Sequence, residues 1–510
     1  MPVQTKLAAR FDIGSGKSWV LVTMCLAVLL AQVDTSVVNL AVHSIGSELG
    51  AAVPGLQWVL DAYNLSYASL LLTGGLLADL CGRRRLFLIG AAVFTGGSVL
   101  CAAAPNILIL IVGRAIGGAG AAMLLPASLA IIRVQWPEQR ARNHVLGVWA
   151  SCNGLAFVVG PTLGGTLVDA FGWRSVFLIA VPLGLTTIGF AWRVVEESVN
   201  REGRRFDGLG QLWGAATLAG LTFAGITAGH GATVAGSAFA GAAVAFILFL
   251  LTERRHGDTA MVPLDLFRRR AFVGAMITFC AMPFGMYGLL FLVPLVWQAS
   301  GVLTAGAAGL ALVPMAAVFF VLSNTAGRLT RRVGVRAMIA GGSALIGVGS
   351  LVISATRAGL PLWLAEIGLT LAGLGMGLNT GPLFGVAVAA VPAARSGSAA
   401  SLINVARMVG ATLGVAVLGT TLAAAGGDGP GLRAVMLAAV QSSLWAPRPP
   451  GCWSASAANR SFRRLGDGRR RTKSAVNAQA DCVRRTALYA SPRDCAFAEI
   501  TSAVCQPTGG

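Results

Sequence analysis

Charge is what this chain has least of. Only 12 % of its 510 residues are Asp, Glu, Lys or Arg, about half the fraction usual in a soluble globule, and its mean hydropathy is +0.73. An ordinary water-soluble domain is excluded. Lysine is confined to Lys6, Lys17 and Lys473, the other basic residues being arginine, which reads as GC-rich coding and carries no chemistry. Histidine is almost as scarce: His43, His144, His230 and His256 fall at span ends or in loops, so no histidine proton relay through a membrane is expected. The nine cysteines contain no C-x-x-C pair and no Cys/His spacing suited to zinc, which argues against disulfides and a metal centre. No nucleophile, metal or cofactor constellation is visible, so neither an enzyme nor a cofactor is expected. A net charge of +19 does not indicate nucleic acid, because the arginines are parcelled between apolar runs instead of forming one face.

What the chain has in abundance is long apolar runs. Windows of about 19 residues place membrane spans near 19–42, 56–78, 86–104, 107–131, 144–166, 175–193, 209–229, 233–251, 272–296, 306–326, 337–355, 361–390 and 397–422. A short further run starts at Leu432. The N-terminal run is too long for a signal peptide and is read as the retained first span. Arginines collect in every second connection: 83–85, then Arg133, Arg140 and Arg142, then Arg193, Arg201, Arg204 and Arg205, then Arg254, Arg255 and 268–270, then Arg328, Arg331, Arg332 and Arg336. The alternate connections hold only Arg174, Arg357 and Arg433. By the positive-inside rule the arginine-rich side is cytoplasmic, and so is the N-terminus.

Asp34 lies inside the first apolar run, with Gln32, Thr35, Ser36 and Asn39 around it. A charge at that depth costs several kcal/mol, so it reads as a proton or substrate site, the alternative being an Asp that packs helices. Arg114 sits in the fourth run. By helical rise the two come to similar depth in oppositely running helices and can pair; the alternative is an arginine that snorkels to the outer surface. Asp61 and Glu366 fall near outer span ends and read as solvated, and Arg407 is mid-span, a gate charge or a carboxylate's partner.

The connection after the second span reads Gly75-Leu-Leu-Ala-Asp79-Leu-Cys-Gly82-Arg83-Arg84-Arg85, and a weaker copy, Gly327-Arg-Leu-Thr-Arg331-Arg332-Val-Gly334-Val-Arg336, follows a later span. Two copies imply an internal repeat. Glycine permits a tight turn between antiparallel helices, Asp79 can cap or pair, and the arginines bind the inner membrane surface. The fifth run carries Gly160-Pro161-Thr-Leu-Gly164-Gly165, in which small residues allow close helix approach and proline bends the helix.

These residues resemble the major facilitator superfamily. Gly75, Leu77, Asp79, Gly82, Arg83 and Arg84 match its first cytoplasmic loop motif, with Leu80 replacing a usual basic residue. Arg114 resembles its fourth-helix arginine linked to proton movement, and Gly160, Pro161, Gly164 and Gly165 resemble its exporter motif, where Ala156 stands for an upstream glycine. The run from Asp34 to Asn39 resembles the Asp-x-Thr-x-Val-Asn motif of the fourteen-span drug:proton antiporters, although Val42-His43 replaces the usual Leu-Pro. The segments Gly172-Trp173-Arg174, Phe206-Asp207-Gly208 and 397–407 carry the same resemblance.

The resemblance implies an all-α polytopic membrane protein of two six-helix bundles, at 19–193 and 272–445, around a linker at 194–271 with two inserted spans. A cytoplasmic N-terminus (1–18) precedes them, and the last span is truncated. It implies proton-coupled efflux of drugs or other amphipathic molecules across the cytoplasmic membrane by a monomer, with protons and a small molecule as its partners. Asp34 and Arg114 would couple the proton, and the two glycine motifs and Arg407 would gate. Met282, Phe284, Met286, Tyr287 and Phe291 on span 9, with Asn379 and Phe384 on span 12, would line the cavity, though such a stripe is also ordinary helix packing. A dedicated exporter of one endogenous metabolite remains an alternative. So does an inactive product of a gene altered at its 3′ end, since composition changes abruptly beyond about 445 and the basic segment 446–510 reads as disordered or frame-altered.

Overall fold

A computed structural model describes residues 16–199, 207–228, 231–257, 262, 264–354, 362–391 and 396–424. The expected final span and the basic segment at 446–510 lie outside the described residues. What is described is helical, without a strand. The N-terminal half comprises α1 (Gly16–Leu49), α2 (Val53–Cys81), α3 (Arg83–Ala102), α4 (Ile107–Gln135), α5 (Gln139–Phe171) and a span broken at Ile179 into α6 (Ser175–Leu178) and α7 (Ala180–Val194). Two helices follow, α8 (Gly208–Thr227) and α9 (Ala232–His256). The C-terminal half comprises α10 (Arg270–Ala299), a span broken at Leu312 into α11 (Ala305–Ala311) and α12 (Val313–Val333), then α13 (Val335–Ser354), α14 (Leu362–Ala389) and α15 (Ser396–Ala424).

Among the described residues, 12 helical segments are long and apolar enough to cross a membrane. All thirteen sequence windows coincide with helices. The thirteenth is α2, whose 29 residues span roughly 43 Å at 1.5 Å each but are diluted by Gln57, Asp61 and Asn64. The protein is a multi-pass membrane protein. Helix starts are capped where the sequence supplies acceptors: Asn106 takes the Ile109 amide at 3.0 Å, Asp207 the Gly210 amide at 2.8 Å, and Thr304 the Ala307 amide at 3.3 Å.

The packing repeats. In the first half α3 packs on α4, α2 on α4 and α1 on α5; in the second α13 packs on α14, α12 on α14 and α10 on α15. The corresponding turns repeat too, with Gly82 between α2 and α3 at φ 107° and Gly334 between α12 and α13 at φ 94°. Both lie in the left-handed region that favours glycine. The halves meet along two seams, α2 against α15 and α5 against α11 and α12.

Candidate functional site

α1 and α5 run side by side in the same direction, and glycine sets how closely. A Cβ on Gly160 would strike the Ser36 hydroxyl, and one on Gly164 would lie 2.8 Å from Val37 Cγ1. Ser36 therefore reaches across, its hydroxyl donating to the Ala156 carbonyl at 3.3 Å. On its other edge α5 meets the second half: a Cβ on Gly165 would strike the Ala305 carbonyl, and one on Gly309 the Pro161 carbonyl. The Gly-Pro-x-x-Gly-Gly stretch thus lies between α1 and α11, and a side chain at Gly160, Gly164 or Gly165 would force the helices apart.

The opposite face of α1 presents Asp34 to α4. Arg114 Nη1 donates to Asp34 Oδ2 at 2.5 Å, with the two side chains only 3 % and 2 % exposed. The arginine does not snorkel. Its Nε donates to the Val59 carbonyl at 3.0 Å, and its guanidinium carbon lies 4.4 Å from the centre of the Tyr63 ring and 5.9 Å from that of Phe177. Tyr63 in turn donates its hydroxyl to the Ala31 carbonyl at 3.2 Å, one turn before Asp34. Asn39 Nδ2 donates to the Thr35 carbonyl at 3.1 Å and Thr35 Oγ1 to that of Ala31 at 3.0 Å. Two charges removed from water in this way hold together only because each is paired. Protonating Asp34 would cancel its half of the attraction, yet leave Arg114 with a carbonyl and two aromatic faces.

Asp61 is not solvated, contrary to the sequence expectation. It is fully buried in α2, and neither carboxyl oxygen finds a hydrogen-bond partner among the described residues. Counting from the helix end gave its depth, but its burial comes from helices packed sideways against it. Arg407 is half-buried in α15, and its Nε has no hydrogen-bond partner among the described residues.

Of the expected cavity residues, Met282, Met286, Tyr287 and Phe291 are buried. Met282 and Met286 share a cluster with Phe157, Met315, Phe319 and Met376, and the Phe157 ring lies 6.5 Å from Tyr287 and 5.5 Å from Phe319. This soft, polarisable surface draws on α5, α10, α12 and α14 together. Phe284 packs at the edge of a separate cluster. Asn379 and Phe384 stand apart. Asn379 is buried with its side-chain amide 3.2 Å from Ser343 Oγ on α13, and Phe384 is 39 % exposed.

At the arginine-rich end, Asp79 Oδ1 accepts from Arg83 Nη2 at 2.9 Å and Nε at 3.2 Å. The start of α3 is held by a residue sequence reasoning missed: Glu197, beyond α7, accepts from the Arg84 and Arg85 amides at 3.1 Å each. A carboxylate there satisfies unpaired amides and complements the helix dipole. At the other end, Asp169 Oδ2 accepts from Thr304 Oγ1 and the Gly306 amide, both at 2.8 Å, tying α5 to α11. Nearby, Glu48 accepts from Trp173 Nε1 at 2.8 Å and pairs with Arg174. A lone Glu or Asp at or just beyond a helix end gives no sequence signal for such contacts.

Residues 24–415 match the family model described as Major Facilitator Superfamily. The multidrug resistance protein Stp of Mycobacterium tuberculosis is 36 % identical over 409 residues, which cover 79 % of this chain and 75 % of that one. The methylenomycin A resistance protein of Bacillus subtilis is 33 % identical over 429 residues, covering 83 % and 92 %. Among solved structures, an inward-facing, unoccupied bacterial homolog of the human lysosomal transporter Spinster superposes with a TM-score of 0.63, at 16 % identity and covering 88 % of this chain and 98 % of that one.

Proposed function

Because the chain belongs to the Major Facilitator Superfamily, and is therefore a transporter and not an enzyme, we propose that it is a proton-coupled efflux antiporter for drugs or other amphipathic small molecules. The observation that carries the reading is the buried Asp34–Arg114 pair at 2.5 Å. With Asp34 ionised, α1 and α4 are held by a full charge pair. A proton arriving from outside neutralises Asp34, leaves the arginine held by Val59 and Tyr63 alone, and loosens α1 against its neighbours; release inside restores the pair. Cargo occupies the methionine- and phenylalanine-rich surface of α5, α10, α12 and α14 in the alternate state, so each ligand shifts the same equilibrium in its own direction. Small residues at Gly160, Pro161, Gly164 and Gly165 let α5 slide between its two partners, while Gly75, Asp79, Gly82, Arg83 and Arg84 fix the α2–α3 turn and Arg407 charges the α15 side.

The charge rule supports arginine-rich ends and an N-terminus that face the cytoplasm, as expected of an exporter working in the cytoplasmic membrane. The bundles at 19–193 and 272–445 flank the inserted linker 194–271, and the working unit is a monomer. The relatives' printed names, multidrug resistance for one and resistance to methylenomycin A for another, leave a broad and a dedicated cargo range to be separated by a substrate panel. The decisive experiment is dye efflux by inverted membrane vesicles under an imposed proton gradient. Uptake that collapses with an uncoupler and in Asp34→Asn supports proton coupling; uptake indifferent to the gradient refutes it.

A further inference from the structure

The inserted helix α8 lies over the seam where α2 of one half meets α15 of the other, touching both. Its contacts along the middle are mostly apolar. A small cavity there is lined by Leu65 and Ala68 of α2, Leu218, Leu221 and Thr222 of α8, and Val409, Thr412 and Leu413 of α15, and the Thr222 hydroxyl turns back to the Leu218 carbonyl of its own helix. Among the described residues, the hydrogen bonds of α8 to α2 and α15 lie near its two ends, and they go to different halves. Near its start, buried Gln211 donates through Nε2 to the Ser69 carbonyl of α2 at 2.6 Å and accepts from the Thr73 hydroxyl. At its other end, the hydroxyl of buried Thr420 on α15 donates to the carbonyls of Gly225 and Ile226, at 3.0 and 3.1 Å. Those carbonyls belong to the last turn of the helix, where no intrahelical partner exists.

We infer that α8 is a diagonal strap, fixed to the first half near its arginine-rich end by Gln211 and to the second half near the opposite end by Thr420, and that it sets the balance between the two states of the transport cycle. The inference rests on the transporter reading above. Alternating access opens the seam at one end as it closes at the other. Apolar contacts slide during such a motion, whereas a hydrogen bond buried in an apolar seam holds or breaks. The two anchors are about 21 Å apart by helical rise, so a strap tied at both ends must tilt with every opening. Cut at either end, it rides passively on the half that keeps it.

That last property separates a strap from two independent packing contacts. Substitutions so far apart ordinarily have additive effects on free energy, which multiply in a rate constant. A strap loses its effect with the first cut, and the second adds nothing. The test is a double-mutant cycle on dye efflux by the full chain in inverted vesicles, using Gln211→Met, Thr420→Val and the two combined. Each single change is expected to alter kcat about three- to tenfold with KM moving less than twofold, the range of coupling energies usual for such networks. The double variant is expected to match the more affected single, and Thr420→Ser to restore wild-type kcat. Should Gln211→Met fail to reach the membrane, Gln211→Leu, which removes both bonds of the same tie, takes its place in the cycle. Effects that multiply, or single variants that pump like wild type, overturn the strap while leaving the transporter reading intact. A wild-type chain that moves no dye sinks both.

Discussion

The Tyr63 ring lies 4.4 Å from the Arg114 guanidinium, on the α2 side of the pair that Arg114 makes with Asp34. The arginine is therefore held from two directions, by a charge that protonation can remove and by an aromatic face that it cannot. This arrangement makes the consequences of individual substitutions unequal.

Asp34→Asn leaves a guanidinium buried without its counter-charge. Breaking such a pair from one side costs about 3–5 kcal/mol, whereas replacing both partners is far milder. Thermal melting in detergent should fall sharply for Asp34→Asn and recover in Asp34→Asn combined with Arg114→Met, while gradient-driven dye efflux stays absent in both. Recovery of transport in the double variant would contradict the proposed coupling role.

At Tyr63 the ring and the hydroxyl separate. Tyr63→Phe keeps the face over Arg114 and loses one hydrogen bond to Ala31, for about 1 kcal/mol. Tyr63→Leu also removes the cation–π contact, for about 2 kcal/mol more in a desolvated site. Efflux should persist in the first and drop severely in the second; equal loss in both would assign the role to the hydroxyl.

Gly165→Ala places a methyl group against the Ala305 carbonyl between the two halves, whereas a Cβ on Gly96, within α3, meets nothing within 4 Å. Overpacking of this kind costs about 1–3 kcal/mol. Efflux measured per molecule of inserted protein should fall for Gly165→Ala and match wild type for Gly96→Ala.

Asp61 predicts the opposite sign from Asp34. Its carboxyl is buried and unpartnered among the described residues, so the amide isostere removes a group that burial penalises and strands no partner charge. Asp61→Asn should melt at or above the wild-type temperature, on the same instrument that shows Asp34→Asn falling.

Much of this was legible in the chain itself because the membrane imposes one dominant rule: a span must be apolar and long. The thirteen windows, the repeated turns at Gly82 and Gly334, and the shared depth of Asp34 and Arg114 all follow from rise per residue and the placement of glycine and charge. What failed was lateral. Depth along a helix says nothing about which neighbour lies beside it, so Asp61 was assigned to water, when packing against adjacent helices buries it. Gln57 and Gln211 gave no warning either. They are polar residues near helix ends in sequence, yet Gln57 Nε2 donates to the Val415 and Ala416 carbonyls of α15 at 2.9 and 2.7 Å.

The two seams between the halves are built alike but roofed differently. α8, backed by α9, covers α2 and α15, and among the described residues no helix covers α5 and α12. Among the described residues, a molecule in the lipid phase would meet α8 on one flank and, on the other, an uncovered seam where Leu155, Val159 and Val321 form part of the exposed surface. Bulky replacements at those three positions are expected to change only the flank of α5 and α12 and to leave the flank covered by α8 as it is.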